Sequence, residues 1–295
     1  MFLYHIRYNY IKITSLKKGC YVNQVKNMTI QQELLERVAG RSVVTSEEIE
    51  EEAKQILDQP AEKNYIYRKF VYPLIKKGYL KKIRRNLYHV TILRTQSSQA
   101  DRLLVASRIK QNYYIGLHAA LEFYGKAHSY FNKVHVCVRP EDRFDKFQYE
   151  NTTYTPYLTK DTTTQFITRK YRGETIKVCT KERLFVECVK HPRKIGGWEE
   201  TLKSLEGLGD IDFETLVGYT LKQNNQALLR RTGLVLELLK HESVFYQHLE
   251  PNTLERLQTK VKGHNQYLIK GKRGPLNERW RLYVPTNFRE HLRGI

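Results

Sequence analysis

Few residues in this chain of 295 residues have the types and spacing that catalysis needs. The sequence has no phosphate-binding glycine loop, no Gly-x-Ser-x-Gly elbow and no His-Glu-x-x-His pair. A metal-dependent nuclease of the restriction type requires an acid followed by Glu-x-Lys on a strand. Glu174 to Lys177 is one residue too long for that motif, and Glu52 to Lys54 has the spacing but lies in a predicted helix. We therefore predict a protein without catalytic residues, metal site or cofactor.

His118 and the cysteines also have ordinary explanations. His118 lies among apolar residues, where a hydrogen-bonded core or interface histidine is expected rather than a metal ligand. The four cysteines (Cys20, Cys137, Cys179 and Cys188) are widely spaced and form no Cys-x-x-Cys pair. This spacing argues against a zinc ribbon and a disulfide framework, and it predicts reduced thiols in the cytoplasm. No apolar run approaches the roughly 18 residues that a membrane span needs.

The cations that could bind an anion are numerous and clustered. The formal net charge is +20, and the stretch from Lys63 to Ala100 holds ten Lys/Arg and no acid. Such an excess favours a polyanionic partner, either nucleic acid or an anionic membrane surface, and the clustering favours nucleic acid. A generally lysine-rich composition is the plain alternative, because 33 cations and 22 acids follow residue 96.

Three predicted helices must position these cations. Apolar spacing predicts a first helix from Ile30 that closes at Gly40. Thr45 and Glu48 form a capping-box pattern that opens a second, acid-rich helix, which cannot be the helix that faces phosphates. A third helix starts near Asn64 and ends at Gly78, with Ile66, Phe70, Val71 and Leu74 buried and with Tyr65, Arg68, Lys69, Tyr72 and Lys76 on the outer side. Pro73 either kinks this helix or starts a new one.

A hairpin follows the third helix. Leu80 to Ile83 and Leu87 to Val90 are predicted to pair, with Arg84, Arg85 and Asn86 as a three-residue loop whose last residue is left-handed. A solvated turn that blocks edge pairing would explain the arginines. A cationic helix followed by a cationic hairpin is instead typical of a winged helix-turn-helix on DNA.

The winged arrangement assigns contacts to individual residues. Residues at the start of the third helix would meet base edges, and the remaining cations would meet phosphates. The predicted DNA-binding residues are Asn64, Tyr65, Arg68, Lys69, Lys76, Lys82, Arg84, Arg85 and Asn86.

The sequence divides into three parts, and the fold class is predicted as α+β. Residues 1–27 form a basic extension, which is either a mis-assigned start before Met28 or an arm that grips DNA. Residues 28–96 form the winged helix-turn-helix. Residues 97–295 form a larger mixed α+β domain with a helical C-terminal part, including predicted helices at 99–110 and 113–124 and extended structure from Tyr267 to Val284. The loop from Lys270 to Gly274 is either an auxiliary phosphate contact or a solvated basic loop.

Four ordered motifs resemble one family. They are the winged region, the segment Lys76 to Tyr88, the segment Tyr114 to Gly125, and the series Thr180 to Leu184, Cys188, His191-Pro192, Gly196-Gly197 and Glu200. Together they resemble the AbiEi antitoxins of abortive-infection systems over about Thr29 to Gly207. The family usually has Gly where this chain has Asn86, and Pro73 is a second departure.

The resemblance implies a DNA-binding antitoxin that represses its own operon at inverted repeats in the promoter. It also implies that the larger domain neutralises a nucleotidyltransferase-like toxin in phage defence, without requiring a stable complex. Inverted repeats are compatible with dimerisation on DNA. Two alternatives stay open, a ligand-responsive winged-helix repressor without a toxin partner and a nucleic-acid-processing enzyme.

Overall fold

The computed structural model describes residues 29–91 and 99–293. The predicted extension 1–27, Met28, Cys20 and the predicted boundary at 96/97 lie outside these residues. The fold class is α+β, as predicted, with helices and three sheets. Residues 29–91 are called the N-terminal region below, and residues 99–293 the C-terminal region.

The N-terminal region runs helix, strand, helix, helix, hairpin. Its first elements and its hairpin are α1 (Ile30–Val38), β1 (Val43–Thr45), α2 (Ser46–Leu57), β2 (Leu80–Arg84) and β3 (Leu87–Val90). The strands form an antiparallel sheet in the order β1-β3-β2. The Thr45 hydroxyl accepts a hydrogen bond from the Glu48 amide, and the Glu48 carboxylate accepts one from the Thr45 amide. The predicted capping box therefore starts α2.

The third helical segment comprises α3 (Lys63–Ile66), a π-helical turn (Tyr67–Val71) and α4 (Tyr72–Lys76). Pro73 lies in the first turn of α4, but the backbone stays helical across the junction, so the segment continues rather than breaking. Pro73 has no N–H to donate to the Lys69 carbonyl. Gln31 Nε2 of α1 donates to that oxygen instead, at 2.7 Å. Gly78 follows with a φ of 76°, the left-handed ending that was predicted.

The hairpin loop is one residue shorter than predicted. Arg84 pairs with Leu87 across the sheet, so the loop consists of Arg85 and Asn86, and the register shifts between Lys82 and Arg84. Asn86 has a φ of 64°, the left-handed conformation expected of it.

A six-stranded mixed sheet forms the centre of the C-terminal region, in the order β6-β7-β5-β4-β9-β8. The pairs β5–β7 and β4–β9 are parallel, and the other neighbours are antiparallel. The elements are α5 (Arg102–Ser107), β4 (Tyr113–Ile115), α6 (Leu117–Phe123), β5 (Lys133–Val138), β6 (Phe147–Tyr149), β7 (Thr152–Leu158), β8 (Phe166–Tyr171) and β9 (Glu174–Cys179).

Two helix predictions in this region were wrong in extent. The helix predicted over 99–110 is only α5, and the helix predicted over 113–124 divides at Gly116 into strand β4 and helix α6. The residues of β4 are aromatic or β-branched, which favours a strand, and β4 pairs with β5 on one side and β9 on the other. A Cβ on Gly116 would lie 2.8 Å from Glu187 Oε2 and 2.9 Å from Cys137 Sγ, so only glycine fits at this division.

The rest of the C-terminal region is mostly helical, as predicted. The helices are α7 (Lys181–Lys190), α8 (Pro192–Ile195), α9 (Trp198–Glu206), α10 (Phe213–Lys222), α11 (Gln226–Glu242), α12 (Pro251–Gln258) and the terminal α13 (Glu290–Arg293). Between α12 and α13, a small sheet contains β10 (Gln266–Tyr267), β11 (Leu276–Asn277) and β12 (Leu282–Tyr283). The extended structure predicted from Tyr267 to Val284 is thus limited to these three two-residue strands.

The sheet of the N-terminal region is covered on both faces. Val44 and Tyr88 belong to the core formed with α1, α2 and the third helical segment. Val43 and Leu87 alternate with them and belong to the core of the C-terminal region. All four residues of β3 are buried as a result.

Polar contacts join the two regions beside this shared sheet. Glu174 at the start of β9 accepts hydrogen bonds from the Ser42 amide at 2.8 Å and from Arg108 Nη2 at 3.0 Å. Arg108 Nη1 also lies 3.0 Å from Glu48 of α2. The acidic helix α2 therefore faces cations of the same chain.

Within residues 29–91 and 99–293, no helix combines the length and the apolar composition that crossing a bilayer requires.

Candidate nucleic-acid interface

One face of the third helical segment is open to solvent and rich in cations and tyrosines. Its exposed residues include those predicted from the sequence, namely Asn64, Tyr65, Arg68, Lys69, Tyr72 and Lys76. Ile66, Phe70, Val71 and Leu74 lie buried on the opposite face, as predicted. The buried residues fix the rotation of the segment about its axis, so the polar face is presented outward.

The π-helical turn brings two tyrosines of this face together. Tyr67 and Tyr72 are five residues apart, a separation that places side chains on different sides of an ordinary α-helix. Here their ring centroids lie 6.4 Å apart, and Lys76 Nζ lies 5.1 Å from the centroid of the Tyr72 ring. Tyr65, Tyr67 and Tyr72 are each more than 40% exposed. π-Helical turns occur frequently at functional sites.

A groove of about 400 Å³ separates the start of the third helical segment from the hairpin loop. Asn64 and Tyr67 line its helical side, and Lys82, Arg85 and Asn86 line its hairpin side. The structure therefore brings Asn64 of the predicted set beside the predicted hairpin residues Lys82, Arg85 and Asn86. Lys63 also lines the groove, and its Nζ lies 3.6 Å from Glu50 Oε2.

Arg84 is not at the hairpin tip, which corrects the expectation that both arginines form the tip. Its guanidinium carbon lies 4.8 Å from the centroid of the Phe147 ring and 5.8 Å from that of Phe144, and its Nη1 is buried. Arg84 pairs with Leu87, whose side chain belongs to the core of the C-terminal region, so both face that region. Arg85, by contrast, is exposed in the loop.

The cations of the interface are free of carboxylate partners inside the described part of the chain. Arg68, Lys69, Lys76, Lys82 and Arg85 have no carboxylate oxygen within 4.0 Å there. His89 of the hairpin adds no charge at neutral pH, because burial and then the nearby Lys81 lower the pKa of its imidazole. The exposed face is thus a surface of fixed lysine and arginine charges.

Sequence reasoning missed several contributors. Tyr67 was overlooked because helical periodicity does not anticipate a π turn. Gln31 had no sequence signal at all.

Asp210 and Asp212, in the C-terminal region, form an Asp-x-Asp pair that was also missed. Asp212 caps α10 and Asp210 pairs with Lys181, so both have structural partners.

The acidic residues considered for catalysis are engaged in packing. Glu174 binds Ser42 and Arg108, and Glu52 of α2 lies 3.5 Å from Arg41. His118 is fully buried, and its Nδ1 lies 2.9 Å from Glu122 Oε1, as expected for a core histidine. No group of three or more His, Cys, Asp or Glu among residues 29–91 and 99–293 is placed to hold a metal ion.

A second polar cluster lies inside the C-terminal region. Tyr114 Oη donates to Glu187 Oε1 at 2.5 Å, and Arg183 Nε donates to the same oxygen at 2.8 Å. Arg183 is 1% exposed, and burial raises the pKa of the Tyr114 phenol well above its usual value. This cluster joins β4 to α7 and is closed to solvent, so it acts in folding rather than at a surface.

Comparison with known proteins yields a fold match. No family model and no curated protein matches the chain. The chain is similar to the crystal structure of the RV2827C protein from Mycobacterium tuberculosis, with a TM-score of 0.61 and 13% sequence identity. The match covers 90% of this chain and 95% of that chain. It shows a shared fold over almost the whole of both proteins.

Proposed function

We propose that this protein binds double-stranded DNA with the third helical segment and the hairpin loop, as a winged helix-turn-helix does. The observation that supports the proposal is the juxtaposition of an open cationic helix face with Lys82, Arg85 and Asn86 across one groove. The third helical segment would enter the major groove while the loop reaches the adjoining backbone.

The exposed residues divide into two groups by their reach. Asn64, Tyr65 and Arg68 lie near the start of the segment and would contact base edges. Lys69, Lys76, Lys82 and Arg85 would contact phosphates. Each phosphate that the protein neutralises releases counterions from the DNA. A plot of log affinity against log salt concentration therefore steepens by about 0.9 for each such phosphate, and this steepness is the salt slope.

The biological role follows from the sequence resemblance to the AbiEi antitoxins. On that basis the protein is a cytoplasmic, non-enzymatic antitoxin that represses its own operon at inverted repeats, where two copies could dimerise. The C-terminal region would neutralise a nucleotidyltransferase-like toxin in phage defence, with or without direct contact.

The DNA proposal is tested by titrating the protein onto its own upstream region across a salt series. We expect Arg68→Ala with Lys69→Ala to weaken binding at least tenfold, and to lower the salt slope by about one because Lys69 is the phosphate contact of the pair. The matched control replaces two exposed cations of α8 and α10, Arg193→Ala with Lys222→Ala, and should bind as the wild type does. Equal loss in both variants would show non-specific attraction and would contradict the interface.

The antitoxin proposal is tested by growth. The resemblance implies a toxin gene beside this one, and co-expression of the wild-type protein should restore the growth that such a toxin arrests. The Arg68→Ala/Lys69→Ala variant should restore growth too, because neutralisation is assigned to the C-terminal region. Metal-dependent cleavage of DNA or RNA by the purified protein would reject the non-enzymatic assignment.

A second candidate function rests on a cleft of about 520 Å³ in the C-terminal region. Leu234 and Leu238 of α11 and Phe288 give it apolar walls, and His241 and Arg289 add polar groups. This mixture suits a small molecule and supports a ligand-responsive repressor without a toxin partner. In that case Leu238→Trp, which fills the cleft, would abolish any metabolite-induced change in operator affinity.

A further inference from the structure

The small C-terminal sheet carries a pair of adjacent, tilted tyrosine rings on its outer face. Strands β10 and β12 are parallel neighbours, and Tyr267 lies directly opposite Tyr283. Their ring centroids are 5.0 Å apart with planes 31° from parallel, and Tyr267 is 47% exposed. Leu282, the neighbour of Tyr283, points the other way into the core. The two rings therefore form an aromatic platform that is open on one side.

Buried residues hold the backbone around this platform in place. Arg230 of α11 is fully buried, and its Nη1 donates to the carbonyl oxygens of His264 at 2.6 Å and Arg281 at 3.4 Å. Its Nη2 donates to the Lys262 carbonyl. Trp280 is also fully buried and donates through Nε1 to Glu237 at 2.8 Å. The platform is thus preorganised rather than part of a loose loop.

Cations are frequent in the sequence that carries the platform. From Lys260 to Tyr283 the sequence has seven lysines and arginines and a single acid, Glu278. Arg279 is engaged with Glu237, but five cations are exposed and lack a carboxylate partner in the described part of the chain, namely Lys262, Lys270, Lys272, Arg273 and Arg281. Lys270 is three residues from Tyr267, so their Cα atoms are at most about 10 Å apart.

We propose that this platform binds an unpaired strand of nucleic acid, with bases stacked on Tyr267 and Tyr283 and phosphates beside Lys270 and Lys272. Exposed aromatic rings in an electropositive frame match the way in which proteins hold single strands without reading sequence. In duplex DNA the base faces are stacked on one another, so an aromatic platform favours unpaired bases. The site is separate from the proposed operator interface and adds a second nucleic-acid activity to the chain.

The experiment measures binding of the full-length protein to fluorescein-labelled oligo(dT) and oligo(U) of about 12 nucleotides, a length within the range that such sites cover. Excess unlabelled duplex is present to occupy the N-terminal interface. The variants are Tyr267→Ala, Tyr267→Phe, Lys270→Ala with Lys272→Ala, and Tyr130→Ala. Tyr130 is a matched control, because it is a 75% exposed tyrosine elsewhere in the C-terminal region.

We expect Tyr267→Ala to weaken single-strand binding by roughly fivefold to a hundredfold. Tyr267→Phe and Tyr130→Ala should bind as the wild type does, and the lysine pair should lower the salt slope by about 1.4. The two oligonucleotides distinguish DNA from RNA as the source of the strand. The proposal would be overturned if Tyr267→Ala bound the oligonucleotides with wild-type affinity. It would also be overturned if the wild-type protein bound neither oligonucleotide in the presence of excess duplex. Neither result would affect the duplex titration that tests the operator interface.

Discussion

At the scale of single residues, two adjacent arginines have different surroundings. Arg84 stacks on Phe147 and Phe144, whereas Arg85 is exposed beside the groove. Sequence alone presents them as equivalent members of one cationic loop. The register of the hairpin separates them, because Arg84 pairs with Leu87 and shares its orientation toward the C-terminal region.

Single substitutions at these positions should therefore act on different properties. Arg85→Ala should lower the salt slope of DNA binding by about one and leave the free energy of unfolding within about 0.5 kcal/mol. Arg84→Ala should lower the free energy of unfolding by about 1 kcal/mol through the lost cation–π contact, with little change in the salt slope. Urea unfolding and a salt-series titration measure the two effects. The assignment would be contradicted if Arg85→Ala lowered the free energy of unfolding and Arg84→Ala lowered the salt slope.

At the scale of elements, Pro73 lies two residues after the π turn of the third helical segment. It removes one backbone hydrogen bond, and the segment includes a π turn whose effect is to align Tyr67 with Tyr72. Gln31 of α1 supplies a donor to the Lys69 carbonyl. The exposed face thus depends on a contact between two helices.

This dependence predicts coupling between Gln31 and Pro73. Gln31→Ala should cost about 1 kcal/mol of unfolding free energy, because the Lys69 carbonyl loses its donor. In a Pro73→Ala background the cost should shrink, since residue 73 then has its own N–H to donate. Urea unfolding of the two single variants and the double variant gives the coupling energy. Glu36→Ala, an exposed change on the same helix, is the control. Additive effects would show that Gln31 does not compensate for the proline.

At the scale of the whole molecule, the N-terminal sheet is shared by two cores. Val43 and Leu87 pack into the C-terminal region, and Glu174 binds the Ser42 amide. A fragment that ends near residue 96 would expose these apolar side chains. The two cores therefore support each other through one sheet, and the boundary at 96/97 stays a prediction outside the described residues.

One buried and one half-buried histidine predict how the stability of the whole molecule depends on pH. Burial, followed by nearby lysines, lowers the pKa of both His135 and His191 to about 4. In the unfolded chain both titrate near pH 6.5, so between about pH 6.5 and 4 the unfolded state binds about two more protons at these two histidines. The free energy of unfolding should fall as pH drops through this window.

Urea unfolding at several pH values between about 7 and 4 measures this slope. His135→Asn should reduce the slope by about one proton. A slope that is unaffected by His135→Asn would show that carboxylates alone account for the acid sensitivity.

Sequence by itself determined the elements whose signals are local. The capping box at Thr45, the Gly78 stop, the left-handed Asn86 and the buried face of the third helical segment all follow from neighbouring residues, and the structure has them as predicted. Only the tertiary structure decided the packing of Arg84 on Phe147 and the strand at Tyr113, because each depends on a partner far away in sequence. Side-chain periodicity shows that a face is buried, but it does not show what covers it.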